Sequence, residues 1–187
     1  MNLDAEKGMN LPRHVVMIPD GNRRWALNNH VSEEAAYAIA AERAKELISA
    51  CQDLGVPIFT LWAFSTENWS RVGAEVSLIT RLAAQHLGDA ALFSRFKMEG
   101  GRFQHLGKKD RMPVELADLI RRLESESADN DKYIFNFAFD YGGREEILHA
   151  VSQAAEQGLD LKRLTADEFE RFLYTAGQDD PDLIIRT

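Results

Sequence analysis

The sequence predicts an α/β protein with a central, mainly parallel sheet flanked by helices. Short apolar runs typical of buried strands alternate along the chain with segments whose apolar residues recur at helical spacing. Polar clusters directly follow several of these runs, and in an open α/β sheet the carboxyl ends of the strands border the ligand crevice. The length of 187 residues, with 45% hydrophobic and 28% charged side chains, suits one globular domain.

The first half of the chain contains two predicted strands, each followed by a long predicted helix. Ser32 is a typical N-cap and Gly55 a typical C-terminal stop for the first helix. The predicted elements are the strand His14–Ile18, a helix over Glu33–Leu54, the strand Pro57–Phe64 and a single helix from about Ala74 to Lys97. The buried stripe of the first helix is predicted to comprise Ala36, Tyr37, Ala40, Ala44, Leu47, Ile48 and Cys51.

The second half continues the same alternation of strands and helices. Pro113 occupies a favoured first-turn position, and Thr165 with Glu168 forms a capping-box pattern. The predicted elements are the strand Arg102–Leu106, a helix from Pro113 to about Ser127, the strand Tyr133–Phe139, a helix over Glu145–Glu156, a helix from Thr165 to about Tyr174 and the strand Leu183–Arg186.

Composition excludes several functional classes. A net charge of −8 argues against a general nucleic-acid surface. The single Cys51 excludes an internal disulfide and fits a reducing compartment. Residues 1–13 form a polar lead that contains acidic side chains, so they do not read as a signal peptide, and no stretch has the length of a transmembrane helix. We therefore expect a cytoplasmic protein with one domain over residues 14–187.

The polar clusters indicate an anionic ligand, because each contains arginine. The most concentrated is Asp20-Gly21-Asn22-Arg23-Arg24, which directly follows the first strand and Pro19. A carboxylate at that position can hold Mg²⁺, which prefers oxygen ligands and often shares them with substrate phosphates. Gly21 allows backbone N–H groups to approach phosphate oxygens, and the arginines supply forked donors. A tight Asp-Gly turn followed by a solvated basic loop is the structural alternative.

Four blocks of this sequence resemble the signature motifs of the cis-prenyltransferases, the family that includes undecaprenyl diphosphate synthase. They occur in the order and at the spacing of that family, from about His14 to the last residue. The blocks are Asp-Gly-Asn-Arg-Arg-Trp-Ala (20–26), Ala-Phe-Ser-Thr-Glu-Asn-Trp-Ser-Arg (63–71), Tyr-Gly-Gly-Arg-Glu-Glu-Ile (141–147) and Asp-Leu-Ile-Ile-Arg-Thr (182–187). The resemblance implies the fold of that family, with a hydrophobic prenyl tunnel whose wall includes the helix after Ala74.

The resemblance also implies a reaction and a set of site residues. Isopentenyl diphosphate would be condensed with an allylic prenyl diphosphate to give a Z polyprenyl diphosphate, with Mg²⁺ as cofactor. As catalytic residues, Asp20 would hold the metal, and Ser65 and Asn68 would lie beside the reacting carbons. Asn68 would assist removal of the proton, or, because an amide is a poor base, the proton would pass to a carboxylate or to the diphosphate itself. The residues expected to bind substrate are Gly21, Asn22, Arg23, Arg24, Trp25, Tyr37, Trp69, Arg71 and Arg186. Candidate tunnel residues are Ala83, Ala84, Leu87, Ala90 and Ala91.

Three departures from the family pattern affect these expectations. Acidic and small residues replace the arginine and glycines usual on the first long helix, so either Glu33 points away from the diphosphate or the diphosphate is held differently. Asp140 stands where asparagine is usual, a change expected to be structural. The family also continues beyond Thr187 with a block that binds isopentenyl diphosphate and a second metal ligand. The catalytic domain is therefore expected to be truncated at its C-terminus.

The sequence is compatible with two functions other than that of a regular chain-elongating enzyme. The altered first helix is compatible with a family member that makes a short or irregular prenyl diphosphate. A non-catalytic partner subunit that binds prenyl diphosphate on the same fold is the alternative from a different class. The resemblance further implies a homodimer and peripheral membrane association through the prenyl product.

Overall fold

The computed structural model describes residues 11–187, so most of the predicted polar lead, residues 1–10, lies outside the described residues. Within them, five strands form one sheet in the order β3-β4-β2-β1-β5, and every neighbouring pair is parallel. The predicted parallel α/β sheet is therefore confirmed. The strands are β1 His14–Ile18, β2 Ile58–Ser65, β3 Gly101–Leu106, β4 Tyr133–Tyr141 and β5 Leu183–Arg186.

Helices connect the strands and cover the sheet. Those described are α1 Asn22–Asn28, α2 Glu33–Leu54, α3 Gly73–Leu87, α4 Ala90–Met98, α5 Val114–Glu126, α6 Gly143–Glu156 and α7 Ala166–Glu170, with a 3₁₀ helix at Thr66–Ser70. The boundaries of α2 match the prediction, because the Ser32 side chain accepts a hydrogen bond from Ala35 N and Gly55 ends the helix with φ 80°. In the part of the chain described, no helix has both the length and the apolarity needed to cross a bilayer.

The order of the strands brings three polar segments to one edge of the sheet. Strand β1 lies between β2 and β5, so the segments after Ile18, Phe64 and Ile185 are neighbours in space. Ile18 pairs directly with Arg186 across the β1–β5 register. Because all three strands are parallel, their carboxyl ends meet at the same edge, where α/β sheets usually form a site.

Two apolar clusters hold the helices against the sheet. The larger contains aromatic side chains of β2, β3 and β4 packed against α5, with Phe64, Phe139 and Ile120 almost completely buried. Helices α3 and α4 add partly buried residues to this cluster. The smaller lies under the end of α2, where Ile48, Cys51 and Leu54 pack on buried side chains of β1 and β2. Leu47, predicted to be buried on α2, is instead 37% exposed.

The prediction of one helix from Ala74 to Lys97 is wrong, because the chain forms two helices, α3 and α4. Helix α3 ends at Leu87, and the Asp89 side chain accepts a hydrogen bond from Leu92 N at 3.1 Å as the N-cap of α4. Asp89 lies inside a continuous helical pattern of apolar residues, so the periodicity alone conceals its role as a cap.

Other boundaries also differ from the prediction. Helix α1 was not predicted. It begins after Gly21, which has the left-handed φ of 80°, so the segment with the two arginines is helical rather than a loop. Strand β4 extends through Asp140 to Tyr141, and α6 begins at Gly143. The capping box of Thr165 and Glu168 is confirmed, but α7 ends at Glu170 rather than near Tyr174.

His105 on β3 makes the stability of the fold depend on pH. Its Nε2 lies 2.8 Å from the carbonyl oxygen of Phe139, and burial, with a contribution from Lys109, lowers its pKa from 6.5 to about 3. In the unfolded chain this imidazole therefore becomes protonated below about pH 6.5, whereas in the folded chain it stays neutral until about pH 3. This contribution to stability is complete above pH 6.5 and is lost as the pH falls.

We expect this histidine to lower the free energy of unfolding by about 2 kcal/mol between pH 7 and pH 5. Urea denaturation of the wild type and of His105→Gln at both pH values measures the effect. The glutamine variant keeps a side-chain donor but does not titrate. Between pH 7 and pH 5 its free energy of unfolding should therefore fall by about 2 kcal/mol less than that of the wild type. Equal losses in both proteins would contradict the assignment.

Candidate active site

A cavity of about 590 Å³ opens at the edge of the sheet where β1, β2 and β5 end. It is lined by residues of α1, α2, α3, β2 and β4, with Leu92 of α4 and Arg186 of β5. Polar side chains gather at the carboxyl edge of the sheet, and mainly apolar ones form the wall between α2, α3 and the strands. This arrangement suits a ligand with an anionic head and a hydrocarbon tail.

Asp20 stands at the mouth of this cavity, two residues beyond the end of β1. Its carboxylate accepts hydrogen bonds from Arg186 Nη2 at 2.6 Å and Nε at 3.1 Å. The hydrogen bond from Arg186, followed by the one from Gly21 N, lowers the pKa of Asp20 below its usual value. The side chain is 40% exposed, so the carboxylate is anionic at neutral pH and open to solvent.

Basic side chains surround this carboxylate. Arg23 and Arg24 project from α1 and are exposed, and both line the cavity. Arg71 follows the 3₁₀ helix and lines it from the β2 side. With Arg186, four guanidinium groups therefore border the same opening. Such a set of fixed, forked donors is well suited to a polyphosphate group.

Ser65 and Asn68 are held in place by each other at the end of β2. The Ser65 N–H donates to Asn68 Oδ1 at 2.9 Å, and the Ser65 side chain accepts from the backbone of the 3₁₀ helix in a capping box. Both residues line the cavity. Because the amide oxygen of Asn68 is already an acceptor for the backbone, its Nδ2 is the group left to interact with a ligand.

Glu75 forms ion pairs with two of these arginines and was not predicted as a site residue. Its carboxylate is only 9% exposed and lies 2.7 Å from Arg71 Nη1 and 3.5 Å from Arg23 Nη1. The Tyr37 hydroxyl donates to the same carboxylate at 3.0 Å, and burial together with this contact raises the pKa of Tyr37. The i,i+4 spacing of Arg71 and Glu75 was the one signal in the sequence that could have indicated the pair.

Most of the predicted site residues are brought together at this cavity. Those that line it are Asp20, Gly21, Asn22, Arg23, Arg24, Tyr37, Ser65, Asn68, Arg71 and Arg186. Trp25 is exposed on α1 and does not line the cavity. Trp69 lies behind the wall, where its ring packs edge-on against Phe64 at 5.0 Å between centroids. Glu33 is exposed and is absent from the lining.

The predicted polar cluster at the end of β4, residues 140–144, does not line the cavity. Arg144 is exposed and does not line the cavity. Asp140 is completely buried and forms two hydrogen bonds with Arg111, one of 3.0 Å from Nε. Of the candidate tunnel residues on α3 and α4, Ala83 and Leu87 line the cavity, whereas Ala84, Ala90 and Ala91 do not.

A parallel α/β fold with a basic, carboxylate-bearing mouth and an apolar cavity defines a class of protein that binds ligands with an anionic head and an apolar tail. Residues 18–187 match the family model described as putative undecaprenyl diphosphate synthase. The chain is 37% identical over 179 residues to an isoprenyl transferase of Aquifex aeolicus, covering 96% of this chain and 76% of that protein.

Two further relatives agree with this match. A tritrans,polycis-undecaprenyl-diphosphate synthase (geranylgeranyl-diphosphate specific) of Pyrococcus horikoshii is 33% identical, with 95% of this chain and 69% of that protein covered. The solved structure of lavandulyl diphosphate synthase from Lavandula x intermedia, in complex with dimethylallyl diphosphate, superposes with a TM-score of 0.86 at 31% identity. That alignment covers 94% of this chain and 77% of the other. The chain therefore belongs to the isoprenyl transferase family and is a prenyltransferase.

Proposed function

We propose that this enzyme condenses isopentenyl diphosphate with an allylic prenyl diphosphate and releases a Z polyprenyl diphosphate and diphosphate. The observation that carries this proposal is that one and the same cavity has a mouth with four arginines and Asp20 and an apolar interior. The match to the undecaprenyl diphosphate synthase family supports the same reaction.

The proposed reaction breaks the C–O bond of the allylic diphosphate and forms a new C–C bond. The diphosphate leaves with the electron pair, the double bond of isopentenyl diphosphate attacks the allylic carbon, and loss of a proton restores a double bond. Negative charge grows on the leaving diphosphate, so Arg23, Arg24 and Arg71 stabilise the transition state more than the ground state. The diphosphate oxygens are suitable acceptors for the proton, because an amide such as Asn68 is a poor base.

The residues at the mouth fit Mg²⁺, which supplies further charge neutralisation on the leaving diphosphate. Asp20 would be the ligand, since its carboxylate is exposed and anionic. Mg²⁺ is commonly held by one or two carboxylates with substrate phosphates and water completing its shell. Within residues 11–187, no cluster of three or more potential metal ligands occurs, so the described part of the chain supports a metal shared with substrate rather than a closed protein site.

Ser65 and Asn68 are proposed to position the reacting carbons beside the diphosphate. Their mutual hydrogen bonding fixes both side chains on the 3₁₀ helix at the end of β2. Tyr37 and Glu75 would hold Arg71 in place beneath the substrate, and Trp69 would support the cavity wall through Phe64. Trp25 remains a proposed substrate contact from its exposed position on α1.

The proposal extends to the setting in which the enzyme acts. We propose a cytoplasmic homodimer that associates with membrane peripherally through its prenyl product. The single free Cys51, half-buried on α2, is compatible with a reducing compartment.

The function is tested by incorporation of radiolabelled isopentenyl diphosphate in the presence of geranyl or farnesyl diphosphate. We expect extractable labelled prenyl product with Mg²⁺ and its loss with excess EDTA, recovered when Mg²⁺ is restored. Mass spectrometry and the geometry of the new double bond identify the product. A different result is that the protein binds prenyl diphosphate without incorporating labelled isopentenyl diphosphate, even when any further native segments are included. That result would favour a non-catalytic partner subunit.

A further inference from the structure

Trp69 belongs to the short 3₁₀ helix that also carries Asn68 and is followed by Arg71. Asn68 and Arg71 line the cavity, whereas Trp69, between them in sequence, does not. No residue of this helix is fully buried, so its position depends on a small number of side-chain contacts. Trp69 supplies one of them, because its ring packs on the larger apolar cluster beside Phe64. The orientation of this ring therefore affects where Asn68 and Arg71 point.

Packing rather than hydrogen bonding orients the indole ring of Trp69. Its Nε1 is inaccessible to solvent and has no hydrogen-bond partner within residues 11–187. Phe64 contacts the ring edge-on, with 5.0 Å between centroids and an interplanar angle of 76°. The Arg111 guanidinium lies over the ring, with its Cζ 5.6 Å from the centroid. A cation over an aromatic face is attracted to it, most strongly for tryptophan, so Arg111 helps to hold the ring in this orientation.

Arg111 is itself held in a fixed orientation by Asp140. Arg111 lies in the segment between β3 and α5, and its Nε and Nη2 both donate to the Asp140 carboxylate, the former at 3.0 Å. Asp140 is completely buried near the end of β4. Two parallel hydrogen bonds to one carboxylate fix the plane of a guanidinium as well as its position. The group that contacts Trp69 is therefore preorganised.

The segment after β4 also contacts the beginning of the same 3₁₀ helix. A methyl group added at Gly142 would lie 3.0 Å from Thr66 Oγ1, so the backbone at Gly142 is already close to the first residue of the helix. Residues at the end of β4 thus hold the helix at two points. Gly142 contacts Thr66 directly, and Asp140 acts on Trp69 through Arg111.

We propose that Arg111 is a positioning residue for the condensation, which acts through Trp69 to keep Asn68 and Arg71 directed at the reacting groups. This proposal rests on the proposed function. Arg111 does not line the cavity, so its effect on the reaction is indirect. Displacing a group at an active site by about 1 Å can lower the rate by a factor of about 10². Loss of Arg111 should therefore slow the reaction although every residue of the site is still present.

The test must separate positioning from stability. Arg111→Met leaves the Asp140 carboxylate buried without a partner, so we use the double variant Arg111→Met, Asp140→Asn, in which no buried charge is unpaired. Its resistance to urea should be close to that of the wild type. Its kcat for incorporation of isopentenyl diphosphate should nevertheless be about tenfold lower. The KM for the allylic diphosphate should change by less than about threefold, since the four arginines of the mouth are retained.

Arg121→Met is the matched control for this measurement. Arg121 is an exposed arginine of α5 that pairs with Asp118 and lies outside the cavity lining. Its replacement should change neither kcat nor KM.

Trp69→Leu tests the route through the indole ring. It is introduced into the wild type and into the double variant. If Arg111 acts through Trp69, the resulting triple variant should have a kcat within about twofold of that of Trp69→Leu alone, because the ring that Arg111 positions is absent from both. Losses that multiply instead, by about a further tenfold, would overturn the route through Trp69.

A second outcome would also overturn the proposal. If the double variant Arg111→Met, Asp140→Asn regained the kcat of the wild type together with its stability, the role of Arg111 would be structural only, and the proposed function would stand. Absence of incorporation by the wild type would overturn the proposed function and the positioning role with it.

Discussion

Asp20→Asn is expected to reduce the rate of condensation roughly 10²–10³-fold, the range found when a single charge-stabilising group is removed from an active site. Asparagine keeps the shape of the side chain but removes the negative charge that would bind Mg²⁺ at the mouth of the cavity. It also releases Arg186, whose guanidinium lies 2.6 Å from the carboxylate. The measurement is kcat and KM for both substrates over a range of Mg²⁺ concentrations, in which the variant should also need more metal.

The fold should be unaffected by this substitution, because the ion pair is exposed on the surface and pairs of this kind contribute little to stability. Asp118→Asn is a matched control. Asp118 forms a similar exposed pair with Arg121 on α5, outside the cavity lining, so its loss should change neither activity nor the metal requirement. If Asp20→Asn kept both the wild-type kcat and the wild-type Mg²⁺ requirement, Asp20 would not be the metal ligand.

Much of the fold could be predicted because it depends on local patterns. The strand His14–Ile18 and the limits of α2 follow from an apolar run, an N-cap serine and a C-terminal glycine, all visible within a few residues. Helix α1 was missed because it is short and directly follows Gly21, whose left-handed backbone is typical of a turn. The break between α3 and α4 was missed because the apolar periodicity continues through Gly88 and Asp89.

The site residues also fall into those that local patterns predict and those that they do not. Residues that follow strand ends could be predicted, since parallel strands deliver their carboxyl ends to a common edge, and Asp20, Ser65 and Arg186 do line one cavity. Glu75 and His86 could not be predicted from local pattern. Each depends on a contact between α3 and another element: Glu75 meets Tyr37 of α2, and His86 meets Glu42 of α2. The packing of two helices is a tertiary fact that single-sequence periodicity does not specify.

Asp140 and Arg111 provide the prediction with the largest effect on stability. The Asp140 side chain is completely buried at the end of β4, and Arg111 is its charged partner. Removing Arg111 leaves a buried carboxylate without a partner of opposite charge. Arg111→Met should therefore lower the free energy of unfolding by about 3 kcal/mol. This value is at the lower end of the range for a broken buried ion pair, because Arg111 itself is partly exposed. Urea denaturation at pH 7 measures the loss.

The second substitution decides whether the buried charge is the cause. Asp140 has a left-handed φ of 53°, a conformation that asparagine also tolerates, so Asp140→Asn removes the charge without imposing backbone strain. In the double variant Arg111→Met, Asp140→Asn, most of the stability lost in Arg111→Met alone should return, because no charge is then left unpaired. Equal instability of the single and double variants would instead assign the loss to packing of Arg111 on the Trp69 ring, whose centroid lies 5.6 Å from the guanidinium.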